Sequence, residues 1–544
     1  MKPGPGGSAA RDALDVLAVA AVAAITIALP LPGLGFYSDD WDFLALFGLN
    51  GDQSVAGLYA ALGIEPHMAM RPGQKLYDAL LFHFFGLSPL GYHLTNACVL
   101  VAGAALLLLA LRELGLPRAL GLGAALLFPV LPHYSTARVW YASFQASLSL
   151  TLFVLSLWAG LRALTGRRAA VWVALSLAAA VASGLCYEAA LPLFFLNAAL
   201  FAVRGRALAP AGGEPRRTGL ALAAATAACA LGVAAFKAQT STRLSHGLSK
   251  VYVAYAVTQL GRIHLWTYGA AAPRTLWRAL HLPAPWPAVA AGAAAVLAIA
   301  YAATRRAAAR PSPGAGRAGA AAIAAGALVT LLAYAVFATT EVSFSPTGAN
   351  NRTAMPGAIG VALAGAGGII WLGELVGKRL RAGVIAGLVA LSCTGAFVVT
   401  QALAAGWVRA YAQERRILAS IRRALPAPQP GTTVLLGGSC RFEGPAPVFE
   451  APWDLQGALR LAYRDSTLLA DVVSPETTAE ADGIHTVVYG SESRYPYERL
   501  LLFDARSGSV VPLRDAVDAR ARLAAVDVRH ACPPGRPGSG VRVF

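Results

Sequence analysis

The sequence predicts an all-α polytopic membrane protein of about eleven transmembrane helices, ending in a small soluble domain of mixed α and β structure. Three observations carry this reading. Hydrophobic residues make up 56% of the 544 and charged residues only 13%, a balance unlike that of water-soluble globular proteins. Apolar runs of roughly 20 residues, enough to cross ~30 Å of hydrocarbon, recur through the first three quarters of the chain. After Ala405 the composition changes: charge becomes frequent and no apolar run reaches membrane length.

The first predicted span covers residues 14–31 and reads as a retained anchor, because it lacks a clear small-residue cleavage site. The others fall near 89–111, 119–131, 140–161, 169–185, 187–203, 219–236, 288–304, 318–338, 356–376 and 382–405. Two long connections separate some of them. Within residues 36–89, "RPGQKLYDALLFHFFG" has apolar residues at helical spacing but too few to span, which suits an interfacial helix. Within residues 237–287, "LSKVYVAYAVTQLGRIHLWTYG" is aromatic and amphipathic and suits the same location. The membrane region is thus residues 1–405 and the soluble domain residues 406–544. In the latter, "WVRAYAQERRILASIRRAL" has helical periodicity. "TTVLLGG", "HTVVYG" and "LLLFDARSGSVVPL" read as strands, the last folded into a hairpin at its Ser-Gly.

A formal charge of +17 could suggest nucleic acid, but its distribution points elsewhere. The basic residues sit in alternate, short connections: Arg112 and Arg118; Arg162, Arg167 and Arg168; Arg204, Arg206, Arg216 and Arg217; Arg305, Arg306, Arg310 and Arg317; Lys378, Arg379 and Arg381. This is the positive-inside pattern. It puts the N-terminus in the cytoplasm and the opposite loops and the C-terminal domain outside. The implied partner is the bilayer, not a nucleic acid. Of six cysteines, Cys98, Cys186, Cys229 and Cys393 lie in or at apolar runs, whereas Cys440 and Cys532 lie in the outer domain. An oxidising compartment makes a Cys440–Cys532 disulfide the expectation.

The polar motifs gather on that outer side. "DDW" brings Asp39 and Asp40 beside Trp41 just after the first span, with Asp42 following. An acidic group at a membrane border has a plain reading, a hydrated helix end. Asp42, one residue beyond Trp41, is expected to point away from Asp39. "RP" follows at Arg71-Pro72, then Pro89, Tyr92, His93 and Asn96, then "FPVLPHYSTARVW" from Phe128 to Trp140. "LCYEAALPL" contains Glu188, and "NNRTAMPGAIG" contains Arg352.

In the order and topology of these motifs, residues 15–405 resemble the GT-C superfamily of integral-membrane glycosyltransferases, particularly the polyprenyl-phosphate-sugar-dependent branch related to protein O-mannosyltransferases. The resemblance implies a GT-C-like fold and a donor that is a polyprenyl-phosphate sugar. The acceptor, a glycan, lipid or protein, is left open. It also implies that Asp39, with Asp40 as partner or substitute, is a general base deprotonating an acceptor hydroxyl, and that the sugar is inverted. A departing lipid phosphate needs fixed cations, and Arg71, Arg138, Lys237 and Arg352 are the candidates, with His93 a further phosphate contact. Arg71 and Lys237 have the alternative of snorkelling to headgroups, and His93 that of a packed histidine. Glu188 serves either the site or a salt bridge to an outer arginine.

No His-rich or Cys-rich spacing suggests a metal. Relatives commonly carry a second-loop acid after a His, where this chain has His133-Tyr134-Ser135. No cofactor is expected; a divalent cation is compatible with the chemistry but unsupported. A lipid-linked-sugar flippase or transporter, and an inactive binding protein on the same fold, are the competing readings. Concentration of the ionisable residues at one face argues against transport.

Overall fold

The computed structural model describes residues 5–209, 213–241, 249–310, 313–339 and 342–526. Among them nine helices are long and apolar enough to cross a membrane. The remaining two predicted spans are shorter apolar helices, Arg118–Val130 and Ala358–Glu374. Proline explains both. Pro129 and Pro132 break the first into 3₁₀ turns at Phe128–Val130 and Pro132–Tyr134, and Pro356-Gly357 precedes the second.

Small residues let the bundle pack closely. The helix Ala315–Ala335 lies against Ala358–Glu374 with backbones nearly touching, so that a Cβ on Gly326 would collide with the Gly360 carbonyl. Without a hydrophobic drive between helices in lipid, such close approach supplies the van der Waals contact that holds them.

The two amphipathic segments are helical. Pro72–Phe85 starts with proline at its first position, where no N–H is needed. Lys250–Leu260 continues as a π-helix through Ala270. The last span does not stop at the predicted boundary: one helix, Lys378–Ala424, runs from the membrane region into the C-terminal segment. There a sheet has the strand order Leu469–Val472, Thr433–Gly437, Leu500–Asp504, Ser509–Pro512. The first three are parallel, and the last pairs antiparallel through the predicted hairpin. A three-stranded antiparallel sheet, Thr478–Tyr495, follows.

One buried cluster ties this segment to the membrane region. Phe36, Trp41 and Phe47 share a core with Phe449, Leu455 and Leu459. The helix Pro452–Tyr463 crosses the helix Asp39–Gly48 so closely that a Cβ on Gly457 would overlap the Trp41 carbonyl. The segment carrying the acidic motif is therefore clamped between the bundle and the C-terminal segment.

Candidate active site

Asp39 and Asp40 open the same short helix but face different surroundings. Asp40 is fully buried. Its Oδ2 accepts the Tyr37 N–H at 2.8 Å and its Oδ1 the Ala142 N–H at 2.7 Å. Burial pushes its carboxyl well above the usual range, opposed by those two donors. Asp40 thus joins two loops. Asp39 instead lines a cavity of about 590 Å³.

Asp42 lines that cavity too, contrary to the expectation that it points away. The reason is helical spacing: three residues apart on the helix Asp39–Gly48, Asp39 and Asp42 share a face, and Glu65 and His67 complete that wall. Burial, and then the charges of Glu65 and Asp39, raise the Asp42 carboxyl to about 6. Glu65 is also raised, by burial and by Asp39.

The cavity's cationic residues come from distant segments. Arg71 Nε donates to Glu188 Oε2 at 3.1 Å, and its Nη2 donates to Oε1. Lys237 Nζ donates to the same Glu188 Oε2 at 3.3 Å and to the Met70 carbonyl at 2.9 Å. Two cations thus share one carboxylate, all three lining the cavity. Arg71 also lies over the Tyr187 ring, 4.8 Å from its centroid. Neither cation points freely to headgroups. Both are buried.

Arg352 lines the cavity from another direction. Its guanidinium stacks on Trp140 at 4.4 Å from the ring centroid and makes no ion pair among the described residues. Its neighbour Asn351 fixes it in place. That fully buried amide donates to the His133 and Pro346 carbonyls, both at 2.8 Å, and accepts the Thr136 N–H at 3.1 Å.

His93 and Arg138 lie outside the cavity wall. His93 Nε2 bonds the Gly35 carbonyl at 3.0 Å. Arg138 Nη2 donates to the Leu131 carbonyl at 2.8 Å, and the group lies over Tyr134. Each holds a loop beside the site.

The C-terminal segment supplies residues that reading the sequence missed. Trp453 lines the cavity, and Glu450 accepts the Ser38 hydroxyl on Oε1 at 2.7 Å and the Tyr489 hydroxyl on Oε2. The one available signal was "VFEAPWDL", an acid set among apolar residues beside a tryptophan.

Cys440 is disulfide-bonded, and Cys98, Cys186, Cys229 and Cys393 are free thiols. The expected partner, Cys532, lies outside the described residues. Among those residues one group, Glu480, Asp482 and His485, has metal-ligand spacing. It belongs to the three-stranded sheet, and none of its members lines the cavity.

No family model matches the sequence, and no curated protein matches it. Two solved structures are similar. ArnT from Cupriavidus metallidurans bound to undecaprenyl phosphate is 17% identical, with 84% of this chain and 85% of that one covered and a TM-score of 0.37. The apo state of ArnT from the same organism gives 16%, the same coverage and a TM-score of 0.36. Likeness of this size identifies neither a substrate nor a site.

Proposed function

We propose that the protein is a GT-C-type membrane glycosyltransferase, moving a sugar from a polyprenyl-phosphate donor to an acceptor hydroxyl on the outer face, with inversion. One observation carries this reading. A single cavity joins Asp39 to Arg71, Lys237 and Arg352, residues drawn from four separate segments. Its wall also includes apolar side chains of the spans, such as Leu191, Ala234 and Phe337, suited to a prenyl chain beside its phosphate. The alternation of basic connections supports the outward orientation.

In this reading Asp39 accepts the proton of the acceptor hydroxyl as its oxygen attacks the anomeric carbon. The bond from that carbon to the phosphate oxygen breaks, and the electron pair leaves on the lipid phosphate. Arg71, Lys237 and Arg352 stabilise the growing charge in a site already organised to receive it. Glu188 orients two of these cations. Asp40, His93 and Arg138 act as positioning residues, holding the loops that carry the reacting groups. Attack opposite the leaving phosphate needs one base and no carboxylate nucleophile, so the sugar inverts.

The test is product analysis on the purified full chain in nanodiscs, given a panel of polyprenyl-phosphate sugars and a total envelope extract as acceptor source. The expected result is release of lipid phosphate together with a newly glycosylated acceptor. In sealed vesicles, translocation of the donor without transfer would favour a flippase instead.

A further inference from the structure

A second cavity, of about 460 Å³, shares Asp39, Arg352 and Trp453 with the first. Its remaining wall differs in chemistry. The C-terminal segment contributes Glu450 and Tyr489, the helix Lys250–Leu260 and its π-helical continuation contribute Gln259 and Arg262, and residues 343–350 add hydroxyl, amide and backbone groups. We infer that this cavity is the acceptor subsite and takes a saccharide, one of whose hydroxyls is presented to Asp39. This rests on the reading of the first cavity as the donor site.

The wall argues for a sugar rather than a lipid. Cavities that bind small molecules measure ~300–1,000 Å³ and combine aromatic surface with a few placed polar groups. Here Trp453 and Tyr489 lie with ring centroids 6.0 Å apart and planes 30° from parallel, giving an aromatic surface for the C–H face of a sugar ring. The side chains of Gln259 and Arg262 are half-buried and make no hydrogen bond or ion pair among the described residues. Their donors, and the Gln259 carbonyl, suit hydroxyls. The Leu, Val and Met side chains of the first cavity, such as Leu191, Val336 and Met70, have no counterpart among the second cavity's described lining residues, whose apolar surface comes from Phe, Pro and Ala.

The shared residues place the reaction where the cavities meet. The saccharide O–H enters from the C-terminal side, its proton passes to Asp39, and its oxygen bonds to the anomeric carbon. The carbon–oxygen bond to phosphate breaks on the side of Arg71 and Lys237.

The experiment is binding of the detergent-solubilised full chain to an immobilised panel of neutral and N-acetylated di- to tetrasaccharides, with undecaprenyl phosphate binding measured in parallel. At least one saccharide should bind. Trp453→Ala should weaken it by about tenfold or more, and Gln259→Ala, which removes a side chain without internal partners, by ~3- to 10-fold. Gln259→Ala, which lies outside the first cavity, should keep its undecaprenyl phosphate affinity, whereas Arg71→Ala should lose that affinity and keep the saccharide. No saccharide bound, or binding indifferent to both Trp453→Ala and Gln259→Ala, overturns the inference. Saccharide binding that depends on Trp453, in a protein that does not bind undecaprenyl phosphate, overturns the donor reading instead.

Discussion

The hydroxyl of Ser38 donates to Glu450 Oε1 at 2.7 Å across 412 residues of sequence. Ser38 precedes Asp39 and has φ 49° and ψ −123°, a conformation that favours glycine. It sits at the N-cap of the helix, yet its side chain does not cap it. The bond to Glu450 therefore holds a strained residue whose setting aims Asp39. Glu450→Ala should lower turnover about tenfold and leave the donor KM nearly unchanged, while Glu450→Gln, which still accepts from Ser38, should recover most of the loss. Equal defects in the two variants would show that the hydrogen bond does not matter.

Asp40 gives a contrasting prediction about stability. Both of its oxygens accept backbone N–H groups, and an amide can accept with only one. Asp40→Asn should cost ~1–3 kcal/mol, the penalty for a buried donor left unsatisfied. A lowered melting temperature in detergent is the readout, and Asp39→Asn should show no such fall.

Glu188, its side chain 13% exposed, lies between the buried Arg71 and Lys237. Removing one member of a buried ionic group leaves the others uncompensated, at ~3–5 kcal/mol. Glu188→Gln should therefore destabilise the protein, and it should also free both cations and tighten undecaprenyl phosphate binding. Calorimetry with that lipid separates the two effects. Weaker binding by Glu188→Gln at a temperature where it is still folded would contradict the assignment of these cations to phosphate.

Asp78, on the helix Pro72–Phe85, tests the electrostatics of the same region. Burial raises its carboxyl to about 8, opposed in part by the Gln74 amide, which donates to it at 3.3 Å. The folded protein then keeps a proton that the unfolded chain gives up near pH ~4. Stability from this group is complete below that pH and is lost as pH rises towards 8, by at most ~1.4 kcal/mol per unit. Asp78→Asn mimics the neutral form. Its melting temperature should gain on the wild type from pH 5 to pH 8 and run parallel above. Parallel curves throughout would contradict the shift.

Much of this architecture is legible in the sequence because it rests on local pattern. The helix Pro72–Phe85 follows from apolar spacing after a proline, and the hairpin at 500–512 from a Ser-Gly between two short apolar runs. Hydropathy located residues 119–131 but did not show that prolines turn their end into 3₁₀ geometry and keep the helix too short to be one of the nine long spans. Adjacent Asp39 and Asp40 cannot be separated by sequence, since one of the two N–H groups that hold Asp40 inward, that of Ala142, comes from a distant loop. Nor does any local signal join Glu450 and Trp453 to the acidic loop. That contact depends on a close crossing at Gly457 between two distant helices.

The proposed mechanism turns on Asp39 as the base. Single-turnover transfer from a polyprenyl-phosphate sugar that the wild type accepts, measured for Asp39→Asn beside undecaprenyl phosphate affinity and melting temperature, tests it most directly. Losing a general base costs ~10²- to 10⁴-fold in rate. The expected result is a fall of that size with lipid affinity and stability retained. A rate within a few fold of wild type would contradict it, leaving the acidic loop a solvated helix end.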